Sequence, residues 1–352
     1  MYNMNIKELI KDLDPIAILE FKNYLLENLE KMLNKKNSNS KIISNNRNKI
    51  MFCDKCGCIL YKNGKTKNGI QKYICSGCKK TSSETTGTIT YHSKLSFDVW
   101  KNIIDNLIDG FSIRKIAEEN NISNLTSFKL RHKVLLALSN YIENVKLENS
   151  AQSDEKYFKI NLKGTKPANM PRYSKKRTSK GGTIRGISHH QICVISVIDE
   201  NDNLFFKIGG LGRGTTEMLE SSISSHLGTV KTIIADSASA YQEFCKNHKI
   251  NLIAIPSHFH NDEIQNIAEI NNVHSQLETW LCKFRGVSTR HLQQYLNWFS
   301  YIFMMKKRFE LKKLRLESYK NIIIDNNYIK SNNIFKLPMP IDLSIAYAEY
   351  IN

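Results

Sequence analysis

The sequence predicts an α+β protein of several domains, because three different patterns follow one another along its 352 residues. Two closely spaced pairs of cysteines come first and indicate a small metal-binding unit. A segment with helical periodicity follows, and after about residue 150 short apolar strands alternate with helices. We therefore expect regions that span residues 1–50, 51–92, 93–150, 151–300 and 301–352.

The composition favours a polyanionic partner. The chain carries 51 Lys and Arg against 33 Asp and Glu, which gives a formal net charge of +18 at pH 7. A surplus of this size favours nucleic acid over a membrane surface. The first residues lack the pattern of a secretion signal, and no apolar run is long enough to span a bilayer. We expect a soluble, cytoplasmic protein that does not bind membranes.

Four of the eight cysteines form two C-x2-C pairs, Cys53 with Cys56 and Cys75 with Cys78. Each pair sets two thiolates on one tight turn, and a β-hairpin between the pairs brings all four into a tetrahedron. The spacing predicts a structural zinc ribbon in residues 51–92, with no open coordination position for chemistry. The neighbouring Cys58 is expected to be a bystander that could compete for the metal.

Residues 93–150 have helical periodicity that is interrupted twice. Gly110 ends one helix, Ser112 caps the next, and the turn "NNIS" precedes a third helix over residues 125–138. Three short helices with a basic last helix are typical of a helix-turn-helix, whose final helix enters the major groove of DNA. The alternative is a plain three-helix bundle with a solvated charged face. If the region binds DNA, the contacts are expected from Lys129, Arg131 and Lys133.

Residues 151–300 predict three strands, a helix, a strand, a helix, a strand and a long helix. This is the order of the RNase H-like (retroviral-integrase-like) nucleotidyl-transferase fold, a mixed sheet with helices on both faces. In that order one acid lies on the first strand and another at the end of the fourth, and Asp154 and Asp236 occupy these places. Taken alone, Asp236 in "IIADSAS" is explained more simply as a helix cap. Its place in the predicted sheet favours catalysis.

The third catalytic position is expected on the last helix of this region. Asn271, His274 and Glu278 recur at helical spacing and share one face, whereas the apolar residues lie on another. Glu269 points away from this face, which makes it a poor candidate although it is a carboxylate. The side-chain carbonyl of Asn271 can bind a hard cation, though more weakly than a carboxylate does.

A basic segment, "KGTKPANMPRYSKKRTSKGGTIR", separates the first two predicted strands and contains no acid. It is either a solvated loop or, beside a site that acts on phosphodiesters, a segment that grips the DNA backbone. The DNA-binding interpretation assigns contacts to Lys175, Lys176 and Arg177, and Arg285 in "FRGV" is a further candidate.

Several motifs in one order resemble the zinc-ribbon insertion-sequence transposases of the DDE superfamily, the ISXO-like branch. They are "CDKCG", "YICSGCKKTSSETTGTITYHSKLSFDVW", "SIRKIAEENNIS", "DEKYF" followed by "GTK", "ADSASAY" and "INNVHSQLETWLCKFRGVSTRHLQQYLNWF". The resemblance covers about residues 50–300. It implies an RNase H-like transposase that cuts and joins DNA at the ends of its own element, with Asp154, Asp236 and Asn271 as the catalytic residues. It also implies Lys or Arg seven residues after Asn271, where this chain has Glu278.

Cleavage and strand transfer of this kind use two Mg²⁺ ions about 3.5–4 Å apart, held by shared carboxylates. We expect Asp154 to bridge the ions, Asp236 to hold one and Asn271 to complete the shell of the other, with Glu278 as a possible supplement; Mn²⁺ is an alternative metal. The expected partners are transposon ends and target DNA, bound by a homo-oligomer at the bacterial nucleoid. Two alternatives stay open: an inactive transposase-derived DNA-binding protein, and an RNase H-like nuclease without strand transfer.

Overall fold

The computed structural model describes residues 52–67, 69–164, 187, 189–236, 239–255, 267–323 and 331–343. The predicted N-terminal segment, residues 1–50, lies outside the described residues, as does the part of the basic segment that contains Lys175, Lys176 and Arg177. The described chain divides into two compact units. The first contains residues 52–86 and 94–100, and the second contains residues 87–93 and everything described after residue 100.

The first unit contains a three-stranded antiparallel sheet in the order β1-β2-β3. Its strands are β1 (Leu60–Lys65), β2 (Gln71–Cys75) and β3 (Thr81–Ser83). Leu60 pairs with Cys75 across the β1–β2 hairpin. One cysteine pair precedes β1 and the other begins at the end of β2, so this antiparallel pairing brings both pairs to the same end of the hairpin.

Three helices follow: α1 (Phe97–Ile108), α2 (Ile113–Glu119) and α3 (Asn124–Glu143). Ser112 and Ser123 cap α2 and α3, because their hydroxyls accept hydrogen bonds from backbone N–H groups of the first turns. Helix α3 is longer at its C-terminal end than predicted, and residues 130–135 are all buried. A helix that is buried all round lies inside the fold, so α3 is a central helix of the second unit.

The second unit also contains a five-stranded mixed sheet in the order β6-β5-β4-β7-β8. Strands β4 (Leu147–Lys159), β5 (Gln191–Asp199) and β6 (Leu204–Leu211) are antiparallel neighbours. Strands β7 (Leu227–Asp236) and β8 (Asn251–Ile255) continue the sheet parallel to β4. Helices α4 (Thr216–Ile223), α5 (Ser239–His248) and α6 (Ala268–Cys282) alternate with these strands. The predicted mixed sheet is confirmed, and its elements follow one another in the predicted order.

Helix α7 (Thr289–Arg308) joins the sheet to the central helix, and α8 (Leu311–Ile323) follows it. The side chain of Gln293 bonds to the backbone of β6, accepting from Ile208 and donating to Phe206. On the next residue of α7, Gln294 is 2.7 Å from Nδ1 of the buried His132 in α3. The predicted boundary at residue 300 therefore falls inside a helix of the second unit. Among the described helices, none combines the length and apolar composition that a bilayer span requires.

Candidate active site

Asp154 and Asp236 lie on neighbouring parallel strands at the centre of the mixed sheet. Gln152 of β4 pairs with Ile234 of β7. Continued two residues further along both strands, this register would set Asp154 beside Asp236 with both side chains on one face. The two carboxylates are close enough for the charge of Asp236 to raise the pKa of Asp154. The sheet thus brings together two carboxylates that are far apart in sequence.

Helix α6 lies along β4 on this face of the sheet. Three contacts join them at regular intervals: Gln152 with Ile270, Asp154 with His274, and Lys156 with Glu278. Four residues of an α-helix advance about 6 Å and two residues of a strand about 6.6 Å, so successive pairs stay in step. The same alternation keeps the three strand residues on one face. These contacts therefore fix where each residue of α6 lies relative to the carboxylates of β4 and β7.

His274 is buried between β4 and β5. Its Nε2 is 2.5 Å from Oγ of Ser196, and Ser196 donates its hydroxyl proton to the main-chain oxygen of Asp154 at 2.6 Å. Because that hydroxyl has only one proton, Nε2 of His274 must be the donor to Ser196. Burial and, to a smaller extent, the charge of Lys156 lower the pKa of His274 to about 4. The neutral ring therefore turns the lone pair of Nδ1 toward Oδ2 of Asp154, 3.5 Å away.

A third carboxylate, Glu155, lies close to this pair but on the opposite face of the sheet, and it was not predicted from the sequence. Burial raises the pKa of Asp154 to about 6; the N–H of Glu155, 2.9 Å from its carboxylate, opposes that rise, and Asp236 adds to it. Burial, Asp236 and Asp154 together raise the pKa of Glu155 to about 7. Its side chain packs so closely on Gly214 that an added Cβ there would lie 2.6 Å from Oε1. Adjacency to Asp154 was the available signal, but strand alternation directs Glu155 to the opposite face.

The other predicted residues of α6 have different surroundings. Asn271 is exposed, and Glu278 forms an ion pair with Lys156, whose Nζ is 2.6 Å from Oε1. The pKa of Glu269 is raised by burial and then by Asp202, in the turn between β5 and β6. Glu269 is therefore directed away from the carboxylate cluster.

The four predicted cysteines come together in the first unit, with all four Sγ atoms within 4.8 Å of one another. Cys53 and Cys78 are 3.6 Å apart, and Cys56 and Cys75 are 3.3 Å apart. Four thiolates about 2.3 Å from a tetrahedral zinc ion would be about 3.8 Å from each other, so the donor set and spacing fit zinc. The backbone N–H of Cys58 is the largest contribution that lowers the pKa of Cys56 to about 6, which favours the thiolate.

Two of the residues expected to contact DNA are buried. The guanidinium of Arg131 donates to the main-chain oxygen of Phe111 at 2.6 Å, and the ammonium of Lys133 donates to that of Ile89 at 3.4 Å. Their exposed fractions are 2% and 5%. The prediction that Arg131 and Lys133 contact DNA is therefore corrected: they hold the central helix to its surroundings. Lys129 is partly exposed, and Arg285 is exposed at a left-handed backbone position with φ 50°.

A mixed sheet with two carboxylates side by side on adjacent parallel strands defines an α/β protein with a candidate metal-dependent site. Residues 146–303 match the family described as the ISXO2-like transposase domain. An uncharacterized protein in transposable element ISH50 of Halobacterium salinarum is 23% identical over 233 residues, which cover 65% of this chain and 77% of that protein. The resemblance to insertion-sequence transposases of this branch is thus confirmed.

Solved structures with similarity to the chain include a simian T-cell lymphotropic virus intasome in complex with PP2A regulatory subunit B56 gamma. That match has 13% identity and a TM-score of 0.28, over 56% of this chain and 67% of the other. A pre-cleavage Mos1 transpososome matches with 10% identity and a TM-score of 0.19, and a Mos1 strand transfer complex with 11% and 0.21. Each Mos1 match covers 68% of this chain and 82% of the other. At these scores, the likeness carries no inference about this chain.

Proposed function

We propose that the protein is a DNA transposase that binds the ends of its insertion sequence and performs Mg²⁺-dependent strand cleavage and strand transfer. The observation that carries this proposal is the pair Asp154 and Asp236, adjacent on parallel strands within the part of the chain that matches a transposase domain. The sheet order and the antiparallel second strand support an RNase H-like fold.

The electrostatics of the cluster fit a divalent metal. Asp154, Glu155 and Asp236 are close enough that like charges raise the pKa of the first two. Hard cations such as Mg²⁺ prefer carboxylate and carbonyl oxygens, and their charge would relieve this repulsion. Asp154 and Asp236 would hold the metal, and Mn²⁺ would suit the same oxygens. When bound, two such ions supply an activated oxygen nucleophile and stabilise the leaving oxygen.

The rotation of α6 supports Asn271 as the third residue of the set. Successive helix residues turn by about 100°. Leu277 faces the core. The next residue around the helix is His274, which contacts Ser196 of β5. After it comes Glu278, which contacts Lys156 of β4. Asn271 comes after Glu278 in the same direction. Since β7 flanks β4 on the side opposite β5, this rotation would set Asn271 on the side of α6 nearer to β7, the strand that carries Asp236.

His274 and Ser196 have a positioning role in this proposal. Ser196 connects the main chain at Asp154 to the buried imidazole, so the carboxylate and the ring are held in one arrangement. The unprotonated Nδ1 is then either a nitrogen ligand beside the carboxylate or an acceptor for metal-bound water. The ion pair with Lys156 occupies Glu278, so we do not assign Glu278 to the metal.

We further propose that the four-cysteine cluster binds one structural zinc ion and that the three-helix segment recognises DNA. The N-terminal end of α3 is accessible: Asn124 and Leu125 in its first turn are exposed, and Lys129 in the following turn is partly exposed. Recognition helices of helix-turn-helix proteins contact bases with their N-terminal residues, which agrees with this exposure. Arg285 and the basic segment around Lys175, Lys176 and Arg177 would add backbone contacts on a homo-oligomer that holds two element ends and target DNA.

The test is a cleavage and joining assay with the full-length protein. Duplexes from inverted repeats flanking the reading frame are incubated with Mg²⁺, and nicked and joined products are separated on denaturing gels. Wild type should cleave and join, Asp154→Asn should do neither, and the exposed control Glu310→Gln should match wild type. Cleavage without joining would favour the nuclease, and end binding without cleavage would favour an inactive DNA-binding protein.

A further inference from the structure

Lys156 lies beside Asp154 and His274 on the face of the sheet that α6 covers. It lies two residues after Asp154 on β4, so strand alternation directs it to the same face. The charge of Lys156 acts on both His274 and Asp154. It is the second cause, after burial, of the lowered pKa of His274, and it opposes the rise that burial causes in the pKa of Asp154. The lysine therefore belongs electrostatically to the candidate active site.

The ion pair with Glu278 fixes this lysine. Nζ of Lys156 is 2.6 Å from Oε1 of Glu278, and the exposed fractions of the two side chains are 22% and 58%. An ion pair as open to solvent as this adds little to stability, so stability alone gives a weak reason for it. An ammonium group has three N–H donors, and a single carboxylate oxygen uses one of them. The remaining donors are available to a phosphate on the solvent side.

Seven residues after Asn271, α6 carries an acid, Glu278. The opposing strand residue is a lysine in direct contact with that acid. The positive charge at this position therefore belongs to Lys156 on the strand, and Glu278 on the helix holds that lysine in place.

We propose that Lys156, oriented by Glu278, contacts a DNA phosphate beside the carboxylates during strand cleavage. This inference rests on the transposase function proposed above. A lysine is suited to the role because its ammonium is a compact point charge that pairs well with phosphate oxygens.

The experiment compares single-turnover cleavage by full-length variants in Mg²⁺ with Kd for the same duplex measured without Mg²⁺. Lys156→Met should slow cleavage by about 100-fold or more, as for other lost transition-state contacts. Its Kd should change by less than about tenfold, because one phosphate contact is one among many. Lys156→Arg should keep most of the rate. Lys320→Met, which removes an ion-paired lysine from α8, is the matched control and should cleave as wild type does.

A charge exchange tests the pair itself. Lys156→Glu should be inactive, and Lys156→Glu combined with Glu278→Lys should recover to within about tenfold of wild type, because the phosphate contact returns from the helix. Thermal melting confirms that each variant is folded. The inference is overturned if Lys156→Met cleaves like wild type, or if Lys156→Met and Lys156→Arg are equally slow. If wild type itself does not cleave, the proposed function fails; if wild type cleaves and Asp154→Asn does not, only the role of Lys156 is in question.

Discussion

The buried imidazole of His274 lies 3.5 Å from the carboxylate of Asp154 and donates its Nε2 proton to Ser196. This arrangement leads to a prediction about metal affinity. His274→Ala should raise the Mg²⁺ concentration needed for half-maximal cleavage by about 10–100-fold, which is the usual cost of losing a group that orients a metal site. A Mg²⁺ titration of the cleavage rate measures this shift. An unchanged midpoint would show that the ring has only a packing role.

Asp236→Asn separates metal binding from helix capping. Asparagine caps helices about as well as aspartate, so the melting temperature should hardly change. If the proposed two-metal function holds, loss of this carboxylate should reduce cleavage by at least about 100-fold, since even the loss of a group that only orients a metal ligand costs about 10–100-fold. Cleavage rate and thermal melting are measured on the same preparation. A variant that keeps both its melting temperature and its cleavage rate would contradict the metal-binding role and leave Asp236 with capping alone.

Cys75→Ser should release the zinc ion. One of four thiolates is lost from a closed site, so metal content measured by mass spectrometry should fall from about one Zn²⁺ per chain to near zero. Cys58→Ser is the matched control and should retain zinc, because the cluster contains the other four cysteines. Retention of zinc by the Cys75 variant, or its loss only from the Cys58 variant, would contradict the assigned ligand set.

Lys129 and Lys133 should respond differently to substitution although they are on the same helix. Lys129→Glu should weaken binding to element ends and reduce the slope of log Kd against log salt by about 1, as expected for one lost phosphate contact. Lys133→Met removes a buried ammonium, so it should alter thermal stability and leave the salt slope unchanged. Fluorescence anisotropy across a salt series measures both. A reduced slope for the Lys133 variant would restore the original assignment of DNA contacts.

Stability should fall as the pH is lowered below neutrality, in part because of His132. Burial lowers the pKa of this imidazole from 6.5 to about 3, with His291 adding to the effect. Between these pH values the unfolded chain binds a proton that the folded chain does not, so this contribution is complete above pH 6.5 and declines toward pH 3. The decline is at most about 1.4 kcal/mol per pH unit. The free energy of unfolding, measured with denaturant from pH 7 to pH 4, should fall less steeply with decreasing pH in His132→Phe than in wild type. An identical dependence on pH in the two proteins would contradict this.

Features that depend on local pattern could be predicted from the amino-acid sequence. Strand alternation, helical periodicity and the cysteine spacing were sufficient to predict the mixed sheet, the order of its elements and a cluster of Cys53, Cys56, Cys75 and Cys78. The same patterns put Asp154 within one strand and Asp236 at the end of another. Such features are encoded by neighbours in the chain, so they can be inferred without knowing what packs against them.

The surroundings of individual charged side chains could not be predicted in this way, because they depend on tertiary packing. A basic residue on an amphipathic helix can face solvent or another helix with the same local sequence, and the packing of α3 inside its unit buried Arg131 and Lys133. Glu155 came close to Asp236 because two strands distant in sequence became neighbours. Lys156 and Glu278 met because α6 advances along β4 in step with it. Burial and charge pairing depend on which distant elements pack together, and that is set by the whole fold.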